Sequence, residues 1–286
     1  MRLTAARLKT YRDQTYRRIP SRRVRSIEAA LDFVNERGVI YFWPIKGVEL
    51  PSLWVAAAGD RPVADAHDDP GHVTWGWKDR LLGEKKWFYA KILRGRATIL
   101  SLKAAPYFYA LSENYGDAQD YLLQYEAGRM TAEAKQIYET LLAKGKLDTL
   151  SLRREARLTG KEGNTRFDRA LVELQRDFKV LPVAVAEAGA WKYAYVYELV
   201  GRWFPELAAQ ARAIGLGEAR AHLAELYLQS VGAATEMQVA RLFGWRADEA
   251  RRAFDKLAAQ GRAVEVEKVG ETPGPGWGAP SFVGAG

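Results

Sequence analysis

The chain has 286 residues, 48% hydrophobic and 27% charged, which is ample apolar material for two or three packed domains. It has no cysteine, so disulfides, thiolate metal sites and cysteine nucleophiles are excluded. No apolar run nears the ~18 residues of a membrane helix, and the arginine-rich start lacks the apolar segment of a secretory signal. A cytoplasmic protein with no membrane partner is therefore expected. Of the 43 basic and 35 acidic residues, residues 1–25 hold nine and one, leaving 34 of each over 26–286, so the whole formal +8 sits in the first stretch.

Residues 1–25 read as a basic N-terminal arm, suited to neutralising phosphates along a polyanion. Its candidate contacts are Arg17, Arg18, Arg22, Arg23 and Arg25. The same residues also fit a partly helical leader, since Leu8, Tyr11, Thr15 and Ile19 share one helical face, or a transit peptide. Residues 26–115 read as a first module. Ile27, Leu31 and Val34 mark a helix stopped by Gly38, and a strand follows over Val39 to Trp43. A short helix runs from Pro51 to Ala58, a polar loop from Gly59 to Val73, and a third helix from Thr74 to Leu82. Two strands, Trp87 to Leu93 and Arg96 to Leu102, flank a turn at Arg94-Gly95.

Residues 130–200 form the second module. A helix from Ala132 to Ala143 carries Ile137, Tyr138, Leu141 and Leu142 on one face and stops at Gly145. A short strand, Leu147 to Leu150, leads to Ser151 as N-cap of a second helix ending near Leu158. After a turn at Thr159 to Gly163, Asn164 caps a third helix. That helix points Phe167, Ala170, Leu171, Leu174 and Phe178 inward, and Asn164, Arg166, Arg169, Glu173 and Arg176 outward. Val180 to Ala186 and Tyr193 to Leu199 make a hairpin around Ala188-Gly189, with Trp191 and Lys192 near its tip.

Residues 217–270 repeat the pattern. A helix with Leu223, Leu226, Tyr227 and Leu228 ends at Gly232, and Thr235 with Gln238 forms a capping box for the next. Gly244 ends that one. Asp248 caps a third helix, with Ala250, Phe254, Leu257 and Ala258 inward and Arg251, Arg252, Asp255 and Lys256 outward. Gly261 closes it, and a strand runs from Ala263 to Lys268. The tail, 271–286, is rich in Gly and Pro and is either a long wing or a frayed end. Helix, helix, helix and hairpin is the winged-helix order, so the expected fold is α+β, mainly α, with three tandem winged-helix modules. A recognition helix buries one face and offers donors from the other to base edges or phosphates. Arg166, Arg169, Arg176, Arg251 and Arg252, with Asn164 and with Lys192 in a wing, are the residues expected to meet double-stranded DNA.

The stretch from His222 through Ala233-Ala-Thr235, followed by Gln238 to Trp245, resembles the AlkZ-like family, with Ala233 where that family usually has proline. Trp75-Gly-Trp-Lys-Asp79 and Ala90 to Arg96 are similar to its first module. The best-known members are DNA glycosylases that unhook interstrand crosslinks, so the resemblance implies a DNA-binding fold in a repair setting. Those enzymes carry Gln-x-Asp or Gln-x-Gln in the first module to position the attacking water. This chain has no such motif there; Gln175-Arg-Asp177 matches the letters but lies in the second recognition helix. Fold and DNA binding therefore carry over further than the chemistry. The readings left are a DNA-binding protein without excision activity, an active glycosylase, and a protein-interaction scaffold or transcription regulator.

Two further groupings bear on chemistry. His67 and His72, with Asp65, Asp68, Asp69 and Asp79, are the right types for a metal, but Asp69-Pro70-Gly71 is turn chemistry and the spacing matches no ligand signature, so no metal or cofactor is expected. Trp43, Trp54, Trp75, Trp77 and Trp87 concentrate in the first module and read mainly as core. Trp75 and Trp77 are the candidates to stack on an extruded base. Asp79 beside them is the weak catalytic candidate, a carboxylate able to orient water or stabilise a cationic sugar.

Overall fold

The computed structural model describes residues 2–284 apart from 67, 113, 190, 191 and 273; His67 and Trp191 thus lie outside the described residues. One arrangement recurs three times: a helix, a short strand, two more helices and two further strands. In the first unit the helices are Ile27–Arg37, Leu53–Ala58 and Val73–Gly83, and the strands are Val39–Tyr41, Phe88–Lys91 and Ala97–Leu100. In the second they are Ala132–Lys144, Thr149–Glu155 and Gly160–Arg176, with strands Leu147–Asp148, Val180–Ala186 and Ala194–Leu199. The third has Leu216–Val231, Glu236–Phe243 and Ala247–Ala259, with strands Ala233–Ala234, Val264–Val266 and Gly276–Gly278. Each trio of strands forms an antiparallel sheet with the unit's own last strand in the middle. The first helices end where a glycine takes positive φ, at Gly38, Gly145 and Gly232.

Several caps differ from the sequence reading. Asp148, not Ser151, caps Thr149–Glu155, its carboxylate accepting from the Leu150 and Ser151 N–H groups at 2.9 and 3.1 Å. The long helix begins at Gly160, so Asn164 lies inside it, half-buried. Gly163 is no turn residue: a Cβ there would sit 2.8 Å from the Leu158 carbonyl carbon, so it permits close packing. Asp248 does not cap Ala247–Ala259 either, because Glu249 reaches back to the Arg246 N–H at 3.0 Å and Arg246 takes the cap position. The capping box of Thr235 and Gln238 is present.

Both ends of the chain are folded in. The basic stretch is not a projecting arm: Arg2–Leu3 pairs in parallel with Lys268–Val269, and the helix Ala5–Thr15 packs on Leu216–Val231. Leu3, Leu8 and Tyr16 are buried. The tail is not frayed, since Gly276–Gly278 is the central strand of the third sheet and Trp277 stacks on Phe254 at 5.4 Å. Short helices absent from the sequence reading, Ala105–Ala110, Asp120–Glu126, Val200–Trp203 and Leu207–Arg212, fill the spaces between units. Phe178, expected on the buried face of the long helix, lies beyond its end at φ 55. There it stacks on Phe88 at 4.8 Å, across from Phe204 and Phe108, joining the units through one core. Among the described residues no helix is long and apolar enough to cross a membrane.

Candidate functional site

The helix Val73–Gly83 presents Trp75, Lys78 and Asp79 to the hairpin of the second unit. The strand-forming alternation of Tyr193, Tyr195 and Tyr197 puts these three rings on one face, and the first two reach the first unit. Lys78 is wholly buried. Its ammonium donates to the Tyr193 hydroxyl at 2.7 Å, to the Tyr195 hydroxyl and to Asp79 Oδ1 at 2.7 Å. All three N–H groups are thereby used. Five rings surround the charge: Tyr195 at 4.5 Å, Trp75 at 4.8 Å, Tyr89 and Tyr193 at 5.4 Å, and Phe42 at 5.5 Å from their centroids. Burial lowers the Lys78 pKa to about 8, opposed by the attraction and hydrogen bond of Asp79.

Asp79 also accepts from the Tyr193 hydroxyl, at 2.9 Å to Oδ1 and 3.2 Å to Oδ2. Desolvation pushes Tyr193, Tyr195 and Tyr89 above the ordinary phenol range, so the cage is a set of neutral hydroxyls around one ion pair. Asp79 remains partly open, its side chain 24% exposed, and Trp75 beside it is 36% exposed. A carboxylate fixed by an ion pair next to an accessible aromatic face is an arrangement that can hold water or a developing cation near a stacked ring. Asp79 and Trp75 thus come together. Trp77 does not join them; it is half-buried against the core of the first unit.

The outward residues are spread more widely. Arg166, Arg169 and Arg176 are exposed on the long helix, Arg166 paired with Glu133 at 3.3 Å and Arg176 with Asp177 at 3.1 Å. Part of that helix is covered: Val172 meets the turn at Gly95, and Gln175 accepts from the Lys91 N–H at 3.1 Å and donates to the Leu171 carbonyl. Gln175 is buried, so Gln175-Arg-Asp177 is a docking element rather than a water-positioning motif. Arg251 and Arg252 are exposed on Ala247–Ala259, Arg252 paired with Asp248 at 2.6 Å. Lys192 is exposed at the hairpin tip with φ 50.

The basic stretch is heavily engaged. Arg17 pairs with Glu36, and Arg18 pairs with Asp13 and Asp60 and lies over Tyr16. The Arg23 guanidinium fills the space beside Gly59. Arg22 and Arg25 are exposed and form no ion pair among the described residues; Arg25 donates to the Pro20 carbonyl at 3.4 Å. In the polar loop, Asp69 binds Arg61 at 2.6 Å and the Gly71 N–H at 2.7 Å, while His72 meets the Ala64 carbonyl at 3.0 Å. Among the described residues no three His, Asp or Glu converge as a metal site.

Lys78, Tyr89, Tyr193 and Tyr195 were not singled out from the sequence. The signal available was the tyrosine alternation, which marks a row of hydroxyls on one strand face, and the Lys-Asp pair inside Trp75-Gly-Trp-Lys-Asp79.

A family model described as AlkZ related matches residues 24–244. The solved structure of the Streptomyces sahachiroi DNA glycosylase AlkZ is similar in fold, with a TM-score of 0.58 at 15% identity, over 100% of this chain and 72% of that one. No curated protein matches the chain.

Proposed function

Since the chain belongs to the AlkZ-related family, we propose that it binds double-stranded DNA in a repair setting, using three winged-helix modules over 26–115, 130–200 and 217–270. The observation that carries this reading is the division of the helices Gly160–Arg176 and Ala247–Ala259. Each buries an apolar face (Phe167, Ala170, Leu171 and Leu174 in one; Ala250, Ala253, Phe254 and Leu257 in the other) and leaves arginines exposed opposite. Exposed guanidiniums on a packed helix suit phosphates and guanine edges alike. Their ion pairs with Glu133 and Asp248 are solvent-exposed, worth ~0–1 kcal/mol, and yield readily to a phosphate. The name of the similar solved protein, a DNA glycosylase, agrees with DNA as partner.

Fluorescence anisotropy with undamaged duplex at several salt concentrations tests the proposal. Wild type should bind, and Arg169→Gln with Arg251→Gln should weaken binding. An absence of duplex affinity would favour the scaffold reading, in which the arginine faces bind acidic partners.

A second reading, excision of an alkylated or crosslinked base, is favoured by one observation: Asp79 is held beside the exposed ring of Trp75. In that reaction a carboxylate orients water or stabilises the cationic sugar as the N-glycosidic bond breaks. Incubation with alkylated or crosslinked duplex, followed by detection of abasic sites, separates the two. No abasic product from the wild type leaves the binding reading alone.

A further inference from the structure

A cavity of about 600 Å³ lies where the first unit's hairpin turn, the end of Gly160–Arg176 and the helices of the third unit meet. Its floor includes the buried rings of Phe108 and Phe178, and one wall holds Phe243 and Trp245, stacked at 4.5 Å and 16° and both only half-buried. Arg94, Arg129, Arg176, Arg220 and Arg241 line it against two carboxylates, Asp177 and Glu249. Those carboxylates are taken by Arg176 at 3.1 Å and Arg220 at 2.7 Å. Arg94 and Arg241 are exposed and form no ion pair among the described residues. Arg94 also keeps left-handed backbone, φ 53, at the hairpin turn, a conformation uncommon for a side-chain-bearing residue.

Two of these guanidiniums, Arg94 and Arg241, come from distant parts of the chain to one cleft, where like charges favour the binding of an anion. The volume falls within the range of small-molecule sites, and a duplex would meet only the rim. We propose that this cleft binds a single nucleotide unit, with its phosphate on Arg94 and Arg241 and its base against Phe243 and Trp245. The planar guanidinium fork matches phosphate oxygens, and an aromatic wall accepts any base face. The unit is either a free nucleotide or a nucleotide at the end of a strand; the recognising chemistry is the same. The inference stands apart from duplex binding by the helix faces, and either can fail alone.

The test uses the full-length protein and calorimetric titration with inorganic phosphate, deoxyadenosine, dAMP and a short single strand with or without a 5′-phosphate. The expected result is dAMP binding at least about tenfold tighter than phosphate or the nucleoside. Arg94→Gln and Arg241→Gln should each weaken it by about tenfold, and Arg212→Gln, which does not line the cleft, should leave it unchanged. Trp245→Leu should weaken dAMP but not phosphate, and if that variant does not fold the two surface arginine variants decide. Tighter binding of the 5′-phosphorylated strand than of dAMP identifies the strand end as occupant; the reverse order identifies the free nucleotide. The proposal is overturned if dAMP binds no better than deoxyadenosine, if no probe binds at millimolar concentration, or if the arginine variants bind as wild type. It is equally overturned if those variants lose duplex affinity while no nucleotide binds.

Discussion

Lys78 is a cation placed where water does not reach, and its charge has a measurable consequence. Its pKa in the folded chain, about 8, lies below the ordinary lysine value of 10.5, so the unfolded state binds more protons between those two values. Stability should therefore rise with pH through this window, and the penalty for burying the ammonium is fully present below pH 8. Between pH 7.5 and 9.5 the gain from this residue is about 2 kcal/mol, before the tyrosines with raised pKa begin to act in the opposite sense. Urea unfolding at the two pH values checks it: wild type should gain, and Lys78→Met should lose that gain. Asp79→Asn removes the one carboxylate paired with this ammonium among the described residues and should destabilise the fold by ~3–5 kcal/mol at neutral pH. A loss of excision in that variant therefore implicates Asp79 only if circular dichroism shows it folded at the assay temperature. The site was half legible. Trp75 and Asp79 sit four residues apart on one helix face and were found, whereas Lys78 in isolation reads as a solvated helix lysine. Its partners Tyr193 and Tyr195 are 115 and 117 residues away, a distance that local periodicity does not span.

At the scale of elements, the third sheet depends on its last strand. Gly276–Gly278 pairs with Ala233–Ala234 on one side and with Val264–Val266 on the other. Truncation after Val269 should thus leave two short strands unpaired and Phe254 without Trp277, and should expose the face on which Leu3 and Phe282 pack. Limited proteolysis should then cut within 216–269 at protease concentrations that spare the full chain, and equal resistance would show the tail to be dispensable. This strand escaped sequence reading because its glycines look like loop. They serve close approach instead: a Cβ on Gly276 would lie 2.5 Å from Val269 Cγ2 and 2.8 Å from the Ala234 carbonyl oxygen. The long helices were legible from amphipathic spacing, glycine stops and the Thr235–Gln238 box, all local signals. Ala105–Ala110 and Leu207–Arg212 were not, because six-residue helices give too few turns for a period to show and are stabilised by packing on one another.

Across the whole molecule, net charge and available charge are different quantities. All of the formal +8 lies in residues 1–25, yet Lys9, Arg12, Arg17 and Arg18 are ion-paired within the fold, and Arg7 donates to the Phe282 carbonyl at 2.6 Å. Deleting the stretch would remove the strand Arg2–Leu3 and the helix Ala5–Thr15 from the core, so lost binding would report lost structure. The substitution that isolates its electrostatics is Arg22→Gln with Arg25→Gln, at two exposed positions that form no ion pair among the described residues. If both touch phosphates, the log–log salt slope for duplex binding should fall by about 2, at ~0.9 per phosphate, with relative preference among sequences unmoved. Arg169→Gln with Arg251→Gln, on the helices proposed to meet base edges, should change the preference as well as the slope. A double variant at Arg22 and Arg25 with wild-type slope would mean that the basic stretch serves folding alone. Duplex affinity would then have to come from the helix faces, with a salt dependence set by the phosphates their exposed arginines neutralise, at ~0.9 per phosphate.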